Sequence, residues 1–398
     1  MTQLYYPLHS LREGNWFKLI CGASLQHLPA VRNLTLAYTL AGADCIDVAA
    51  DPAVIAVAKD ALQVAGELVG AAQERGLRIQ SKPWLMVSLN DGEDPHFRKA
   101  QFNPDLCPAD CPRPCETICP TQAIVFQDTS EVSSGVMEQR CYGCGRCLPV
   151  CPSQLIYTRS YISSRSAIAQ LILQTGVDAL EIHTQVGHFT DFQQLWRVIA
   201  PWVDRLKLVA ISCPDSEGLI DYLWALYQLI APLPCALVWQ TDGRPMSGDI
   251  GSGTTRAAVK LSQKVLAAGL PGYVQLAGGT NHHTVAKLKA VGLLKGQERR
   301  EKERGGEWTN TAFSMPYSQP YIAGVAYGSY ARVLLSPILD ELEKLNEQEV
   351  AAHLAVSPSP SFRHLENFPT LLWQAVARAY SLVFQLKSSQ QLPQPISN

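Results

Sequence analysis

Eight of the twelve cysteines in this chain lie between Cys107 and Cys151. The second half of this block reads CYGCGRCLPVCP (141–152), which is the C-x2-C-x2-C-x3-C-P spacing of bacterial-type [4Fe–4S] ferredoxins. Two-residue gaps with small residues let the chain curl tightly, so three thiolates reach three irons of one cluster and backbone N–H groups face its sulfides. The spacing disfavours zinc, because four-cysteine zinc sites usually separate two C-x2-C pairs by many residues.

The first half of the block, CPADCPRPCETICP (107–120), has three residues in every gap. Pro108, Pro112 and Pro114 exclude a regular helix here. We therefore predict a proline-stiffened loop that wraps a cluster. The two halves also end alike, in CPTQAI (119–124) and CPSQLI (151–156), as expected of a duplicated ferredoxin module.

In a two-cluster ferredoxin the fourth cysteine of each half ligates the other cluster. Because the first half is wider than the usual pattern, one cluster with spare thiols remains an alternative to two. The rule predicts one set of ligands as Cys119, Cys141, Cys144 and Cys147, and the other as Cys107, Cys111, Cys115 and Cys151. The other four cysteines, Cys21, Cys45, Cys213 and Cys235, are predicted to be small buried hydrophobes.

Outside the cysteine block, short apolar runs alternate with longer helical patterns, several of which end in glycine. This alternation predicts an α/β protein, a (β/α)8 TIM-like barrel, with an open doubly wound sheet as the alternative. The eight predicted strands are 17–21, 45–49, 84–89, 179–183, 206–212, 235–240, 273–277 and 321–327.

The cysteine block falls between the third and fourth predicted strands, where a loop at the carboxyl end of the barrel belongs. We predict that residues 1–100 form the first part of the barrel, 101–160 a 2[4Fe–4S] ferredoxin-type insertion, and 161–345 the remainder of the barrel. Residues 346–398 are predicted to form a C-terminal helical extension and a flexible tail. Within it, TLLWQAVARAYSLVFQLK (370–387) is predicted to pack on the barrel, with a partner-binding face as the alternative.

The charge balance limits the class of partner. There are 33 basic and 35 acidic residues, and charged residues make up 17% of the chain against about 25% in an average protein. Neither this balance nor the mixed-charge stretch at 295–307 predicts nucleic-acid binding. Since the start lacks a secretory pattern and the uncharged stretch at 222–241 contains Pro232 and Pro234, we expect a cytoplasmic protein with no membrane span.

Two glycine-rich loops follow the last two predicted strands, AGGTNHHT (277–284) and AYGSYAR (326–332). In a barrel these loops are the usual place for a phosphate, so a phosphate or flavin site is predicted there. The alternative is that glycine and a helix cap are ordinary features between a strand and a helix. No catalytic triad, HExxH or P-loop pattern is present, so no catalytic residue is predicted and an enzyme is not favoured. The residues of the predicted site are Gly278, Gly279, Thr280, Gly328 and Ser329.

Together with the cysteine block, QTDGRPMSGDIGSGTT (240–255) and LAGGTNHHTV (276–285) resemble the cyanobacterial light-dependent period (LdpA) family of iron–sulfur circadian light-input proteins. The resemblance implies that the clusters sense a cellular redox state that light changes through photosynthetic electron flow. It further implies that this state is passed to clock-input and redox signalling proteins. The residues alone leave two alternatives: an iron–sulfur, flavin-type oxidoreductase with its active site at the barrel mouth, and a purely structural cluster.

Overall fold

The computed structural model describes residues 6–22, 27–77, 79, 81–92, 98–119, 122–126, 134–137, 140–141, 147–160, 175–244, 251, 253–295, 320–353 and 363–387. In these ranges the strands, numbered along the chain, are β1 (Trp16–Gly22), β2 (Cys45–Ala49), β3 (Trp84–Asn90), β4 (Arg98–Gln101), β5 (Ile124–Val125), β6 (Gly135–Val136), β7 (Tyr157–Ser160), β8 (Ala179–His183), β9 (Leu208–Pro214), β10 (Ala236–Asp242), β11 (Tyr273–Ala277) and β12 (Gly324–Tyr327).

Eight of these strands form a closed parallel barrel in the order β1-β2-β3-β8-β9-β10-β11-β12, with β12 pairing back onto β1. All eight strands predicted from the apolar runs are present, which confirms the barrel. The last strand begins at Gly324 rather than at residue 321. Ile322 and Ala323 are buried and apolar like strand residues, but the Ile322 N–H donates to the Leu293 carbonyl outside the sheet.

Helices cover the outside of the barrel, and a first helix closes its amino end. Leu8 and Leu11 of that helix share an apolar cluster with Trp16 and Trp84, whose ring centroids lie 5.7 Å apart. The described helices are α1 (Tyr6–Glu13), α2 (Leu28–Leu40), α3 (Pro52–Glu74), α4 (Pro114–Ile118), α5 (Cys147–Val150), α6 (Phe189–Ile199), α7 (Leu219–Ile230), α8 (Thr255–Ala267), α9 (Thr284–Ala290), α10 (Ser329–His353) and α11 (Pro369–Lys387).

The C-terminal helix α11 packs on the barrel. Its apolar side chains Leu371, Leu372 and Leu382 are buried in the main core with residues of α2 and α10. The Lys387 ammonium at its end lies 2.6 Å from the Asp44 carboxylate before β2. The prediction that this helix packs on the barrel is therefore confirmed, and the alternative of a free partner-binding face is wrong. None of the helices in the described ranges is both long and apolar enough to cross a membrane.

Candidate iron–sulfur site

The cysteine-rich segment is an insertion between β3 and β8, the third and fourth strands of the barrel. It begins and ends on one antiparallel ribbon, in which β4 pairs with β7 from Arg98↔Ser160 to Gln101↔Tyr157. A second, two-residue ribbon joins β5 to β6 inside it. The first and last strands of the insertion therefore lie side by side, and the cysteines are in the chain between them.

A small apolar core supports the cysteines. Phe102, Ile124 and Ile156 are its largest buried aliphatic and aromatic members. This core is separate from the two apolar clusters of the barrel. The cysteines Cys115, Cys141 and Cys147 are buried in it, and Cys119 and Cys151 pack against it.

Four thiols of the insertion lie close enough to interact electrostatically. Burial raises the pKa of Cys107, the neighbouring Cys111 and Cys151 thiols raise it further, and the Arg113 guanidinium lowers it. Burial also raises the pKa of Cys115, and the Cys151 and Cys107 thiols raise it further. Hydrogen bonds from the backbone N–H groups of Glu116 and of Cys115 itself oppose that rise. The structure thus brings together the four residues of one predicted ligand set, although which thiol binds which iron stays a prediction.

Three members of the other predicted set, Cys119, Cys141 and Cys147, are also in this small core. The backbone N–H of Ala123 donates to Cys119 Sγ at 3.2 Å. Such N–H···S bonds stabilise the negative charge of a thiolate and influence the reduction potential of a bound cluster. The fourth member, Cys144, lies outside the described residues.

The internal repeat seen in the sequence recurs in the backbone. Gln122 and Gln154 each follow the last cysteine of their half by three residues, and both adopt left-handed φ values, 52° and 51°. The Gln122 N–H donates to the Cys119 carbonyl at 3.1 Å, and the Gln154 N–H donates to the Cys151 carbonyl at 3.1 Å. Left-handed φ is uncommon for a residue other than glycine, so its occurrence at equivalent positions indicates two copies of one turn.

The donor chemistry of these residues fits an iron–sulfur cluster. Among the described residues, no three His, Cys, Asp or Glu side chains converge closely enough to hold one metal ion. The side chains of both predicted ligand sets are thiols, and a [4Fe–4S] cluster receives each thiolate on a different iron.

The predicted phosphate or flavin site at the barrel mouth has a different local role in the structure. A Cβ atom on Gly278, whose φ is +68°, would lie 1.9 Å from Asp242 Oδ1. The Thr280 hydroxyl donates to the Ala326 carbonyl at 2.8 Å, and a Cβ on Gly279 would meet the Thr254 carbonyl at 3.0 Å. These residues let neighbouring loops approach each other, and their binding of phosphate or flavin remains a prediction.

The second glycine-rich loop leads into α10. Ser329 Oγ accepts a hydrogen bond of 3.0 Å from Arg332 Nη2, and Arg332 Nη1 donates to the Ile20 carbonyl at the end of β1. Gly328 lies beside the same guanidinium, which would be 3.6 Å from an added Cβ. This loop also remains a predicted phosphate or flavin site.

Inside the barrel lies a buried polar network that the sequence interpretation missed. The Lys18 ammonium of β1 lies 2.9 Å from Asp47 Oδ2 on β2, contacts Glu181 on β8, and donates to Gln240 Oε1 at 3.0 Å. Gln275 Nε2 in turn donates to Gln240 Oε1 at 2.6 Å. Lys18, Asp47 and Gln275 are each a single polar side chain within an apolar strand, and that recurrence was the available signal.

The network reaches the barrel mouth through two residues. His183 Nε2 lies 3.1 Å from Glu181 Oε1, and its side chain is 29% exposed. Burial raises the pKa of Asp242 to about 6, with the His183 side chain opposing that rise. The amine of Lys18 has three acceptors around it, and the network is partly exposed at its His183 end.

The other four cysteines are core residues, as predicted. Cys21, Cys45, Cys213 and Cys235 are all buried. Burial raises the pKa of the Cys21, Cys213 and Cys235 thiols to about 12. Such thiols are inert, because the thiolate is the reactive form.

Comparison with known proteins adds two family matches. Residues 107–162 match the LdpA Fe-S cluster-binding domain, and residues 171–385 match the Light dependent period A C-terminal domain. The chain is 49% identical over 384 residues to Light dependent period A of Synechococcus elongatus, with 96% of this chain and 94% of that protein covered.

Two solved structures share a weaker likeness. Tryptophan synthase of Mycobacterium tuberculosis is 12% identical with a TM-score of 0.40, covering 99% of this chain and 100% of that one. Fructose-bisphosphate aldolase of Campylobacter jejuni is 8% identical with a TM-score of 0.31, covering 96% and 93%. At these TM-scores the barrel assignment stands on strand pairing alone.

Proposed function

Because the chain belongs to the light dependent period A family, we propose that it is a circadian light-input protein that senses redox state through two [4Fe–4S] clusters. The observation that carries the proposal is the insertion, in which two cysteine-rich halves end in the same turn and surround one small core. Residues 107–162 match a domain that binds an iron–sulfur cluster in this family. The [4Fe–4S] type and the number of two are inferred from the spacing.

In this proposal each cluster draws ligands from both halves of the insertion. When bound, such clusters supply one-electron transfer at a potential that the protein tunes. The thiols hold the irons, and the small apolar core shields the buried Cys115, Cys141 and Cys147 from water. The two sets are Cys107, Cys111, Cys115 and Cys151, and Cys119, Cys141, Cys144 and Cys147.

The two sets differ in exposure, which favours one of them as the entry point for electrons. Cys107, Cys111 and Cys151 are only partly buried, and Cys115 is the buried member of that set. In the other set Cys141 and Cys147 are buried, and Cys119 is partly buried. A one-electron carrier from solution would therefore approach the cluster bound by Cys107, Cys111, Cys115 and Cys151 more closely than the other cluster.

Sensing requires that a change at the clusters reach a surface that a partner recognises. The ribbon of β4 and β7 connects the insertion to the barrel, so a change in the cysteine loops acts on the barrel through that ribbon. The partner class that the family implies is a clock-input or redox signalling protein. The balanced charge of the chain makes nucleic acid an unsuitable partner.

The proposal places the protein in the cytoplasm. Every cysteine in the described ranges is free rather than disulfide-bonded. Free thiols and iron–sulfur chemistry suit a reducing compartment.

Anaerobic purification followed by iron analysis and EPR spectroscopy tests the clusters. Wild-type protein should be coloured and give an EPR signal on reduction, and both should be lost when Cys111→Ser and Cys144→Ser are combined. A colourless, iron-free wild-type protein would contradict the proposal. Flavin fluorescence in the same sample would instead favour the oxidoreductase alternative.

Hydrogen exchange on oxidised and reduced protein tests sensing itself. We expect protection to change in the insertion and at its ribbon while the iron content stays constant. Identical exchange in both states would reject sensing but leave the clusters in place. Global unfolding on cluster removal, followed by circular dichroism, would identify a purely structural cluster.

A further inference from the structure

Arg113 occupies a strained position between two predicted cluster ligands. It lies between Pro112 and Pro114, in the gap from Cys111 to Cys115, and its φ is +52°. A residue with a side chain adopts this left-handed region at a cost in free energy, and residues strained in this way concentrate at functional sites. Asparagine or glycine would fit the backbone more easily, so the arginine side chain calls for a reason of its own.

The Arg113 side chain is anchored on an aromatic pair. Its guanidinium carbon lies 4.3 Å from the centroid of the Phe126 ring, a cation–π distance. The Phe126 ring in turn lies 5.7 Å from that of Phe102, which is buried in the small core of the insertion. The guanidinium is thus held in place rather than left to move in solvent.

Arg113 is held among the predicted ligands. It lies between Cys111 and Cys115 in the chain, and the Phe126 ring beneath its guanidinium packs against the core in which Cys115 is buried. Within the described ranges no carboxylate forms an ion pair with this guanidinium. A fixed cation without a carboxylate partner beside a group of thiols favours negative charge on that group.

We propose that Arg113 compensates the charge of the cluster bound by Cys107, Cys111, Cys115 and Cys151, and thereby raises its reduction potential. The inference rests on the proposed clusters. A one-electron carrier of the ferredoxin or dithionite type loses one electron, and the thiolate-bound group gains one negative charge. The Arg113 guanidinium stabilises that added charge, since net charge near a cluster sets its potential.

An anaerobic redox titration followed by EPR spectroscopy tests this role in the full chain. Dithionite with mediators is the reductant, and Arg113→Gln is compared with Arg113→Lys. The matched control is Arg205→Gln, because Arg205 also lies over an aromatic ring, 5.0 Å from the Trp202 centroid, but belongs to the barrel. Iron is quantified first in every sample.

We expect Arg113→Gln to lower the ratio of reduced to oxidised cluster at a fixed potential by threefold to tenfold. A tenfold change corresponds to about 59 mV for a one-electron couple. Arg113→Lys should shift the ratio less, and Arg205→Gln should leave it unchanged. The potential of the second cluster serves as an internal reference and should not move.

Full iron content with an unchanged potential in Arg113→Gln would overturn the inference and leave the proposed clusters intact. An iron-free wild type would instead reject the clusters themselves. If Arg113→Gln does not hold iron, Arg113→Asn serves, because asparagine tolerates the left-handed region. Loss of iron in both neutral variants but not in Arg113→Lys supports the charge role, and loss in all three overturns it.

Discussion

The Lys99 ammonium lies 2.7 Å from Asp51 Oδ2, and this buried ion pair joins the cysteine-rich insertion to the barrel. Lys99 is on β4, at the base of the insertion, while Asp51 follows β2. The other oxygen of the same carboxylate, Oδ1, accepts from the backbone N–H groups of Ala53 and Val54 and caps α3. One side chain thus caps a helix of the barrel and pairs with the ribbon that supports the cysteines.

Lys99→Met should destabilise the protein by about 3–5 kcal/mol, because it leaves the Asp51 carboxylate buried without its cation. The free energy of unfolding in urea measures the loss. Lys264→Met is the matched control, since Lys264 pairs with Asp215 at the same 2.7 Å but on the surface. That exposed pair should cost about 0–1 kcal/mol. Equal costs for the two variants would refute a structural role for the buried pair.

Pairs of cysteine substitutions should test how the ligands are shared between clusters. If each cluster takes its fourth ligand from the other half, Cys111→Ser combined with Cys151→Ser removes one cluster only. Cys111→Ser combined with Cys147→Ser should remove both and leave almost no iron. Iron and sulfide analysis measures the difference, with Cys235→Ser as a control that keeps full iron. Equal iron in the two double variants would show that the halves do not exchange ligands.

Gly278→Ala should destabilise the barrel mouth far more than Gly292→Ala. Both glycines have φ values of +68°, but an added Cβ on Gly278 would lie 1.9 Å from Asp242 Oδ1, and one on Gly292 meets nothing within 4 Å. Gly292→Ala should therefore cost only the backbone strain, about 1 kcal/mol. Gly278→Ala adds a steric clash, and its larger loss is measurable by thermal or urea unfolding. Similar losses would contradict the close approach of the two loops.

Asp242→Asn should change the pH dependence of stability. Burial raises the pKa of Asp242 to about 6 in the folded protein, so the folded state keeps its proton where the unfolded state has lost it. Wild-type stability contributed by this group is therefore present below about pH 4 and is lost as the pH rises to about 6. Since asparagine does not titrate, the variant should gain about 3 kcal/mol relative to wild type between pH 4 and 7. Parallel urea-unfolding profiles for the two proteins would be inconsistent with this shift.

The barrel strands could be predicted because each is a short apolar run between helical patterns, as in CIDVA (45–49) for β2. The polar layer inside the barrel could not be predicted in the same way. Lys18 and Asp47 lie on the neighbouring strands β1 and β2, but Glu181 is 163 residues from Lys18 in the chain and contacts it because the barrel closes. Lys18 and Asp47 are each one polar residue in an apolar strand, and Glu181 shares its strand with His183, so none belongs to a longer polar pattern.

The cysteine spacing identified the chemistry of the insertion but not its surroundings. The roles of Arg113 and of the pair between Lys99 and Asp51 depend on backbone strain and on contacts across the chain, which no spacing records. Gly278 lies in a glycine-rich loop, and such a loop indicates anion binding and close loop packing equally well. Local sequence alone does not separate those two uses.

The pairing of Arg98 with Ser160 makes the insertion a cassette with adjacent ends. Opposite residues of antiparallel strands have Cα atoms about 5 Å apart. If all residues between Arg98 and Ser160 were deleted, a turn of about two residues would connect these two positions. A single genetic insertion would thus have sufficed to add an iron–sulfur domain to an ancestral barrel without changing its strand order. The paired positions Arg98 and Ser160 also give protein engineers a place to remove the insertion or to transfer it into another barrel.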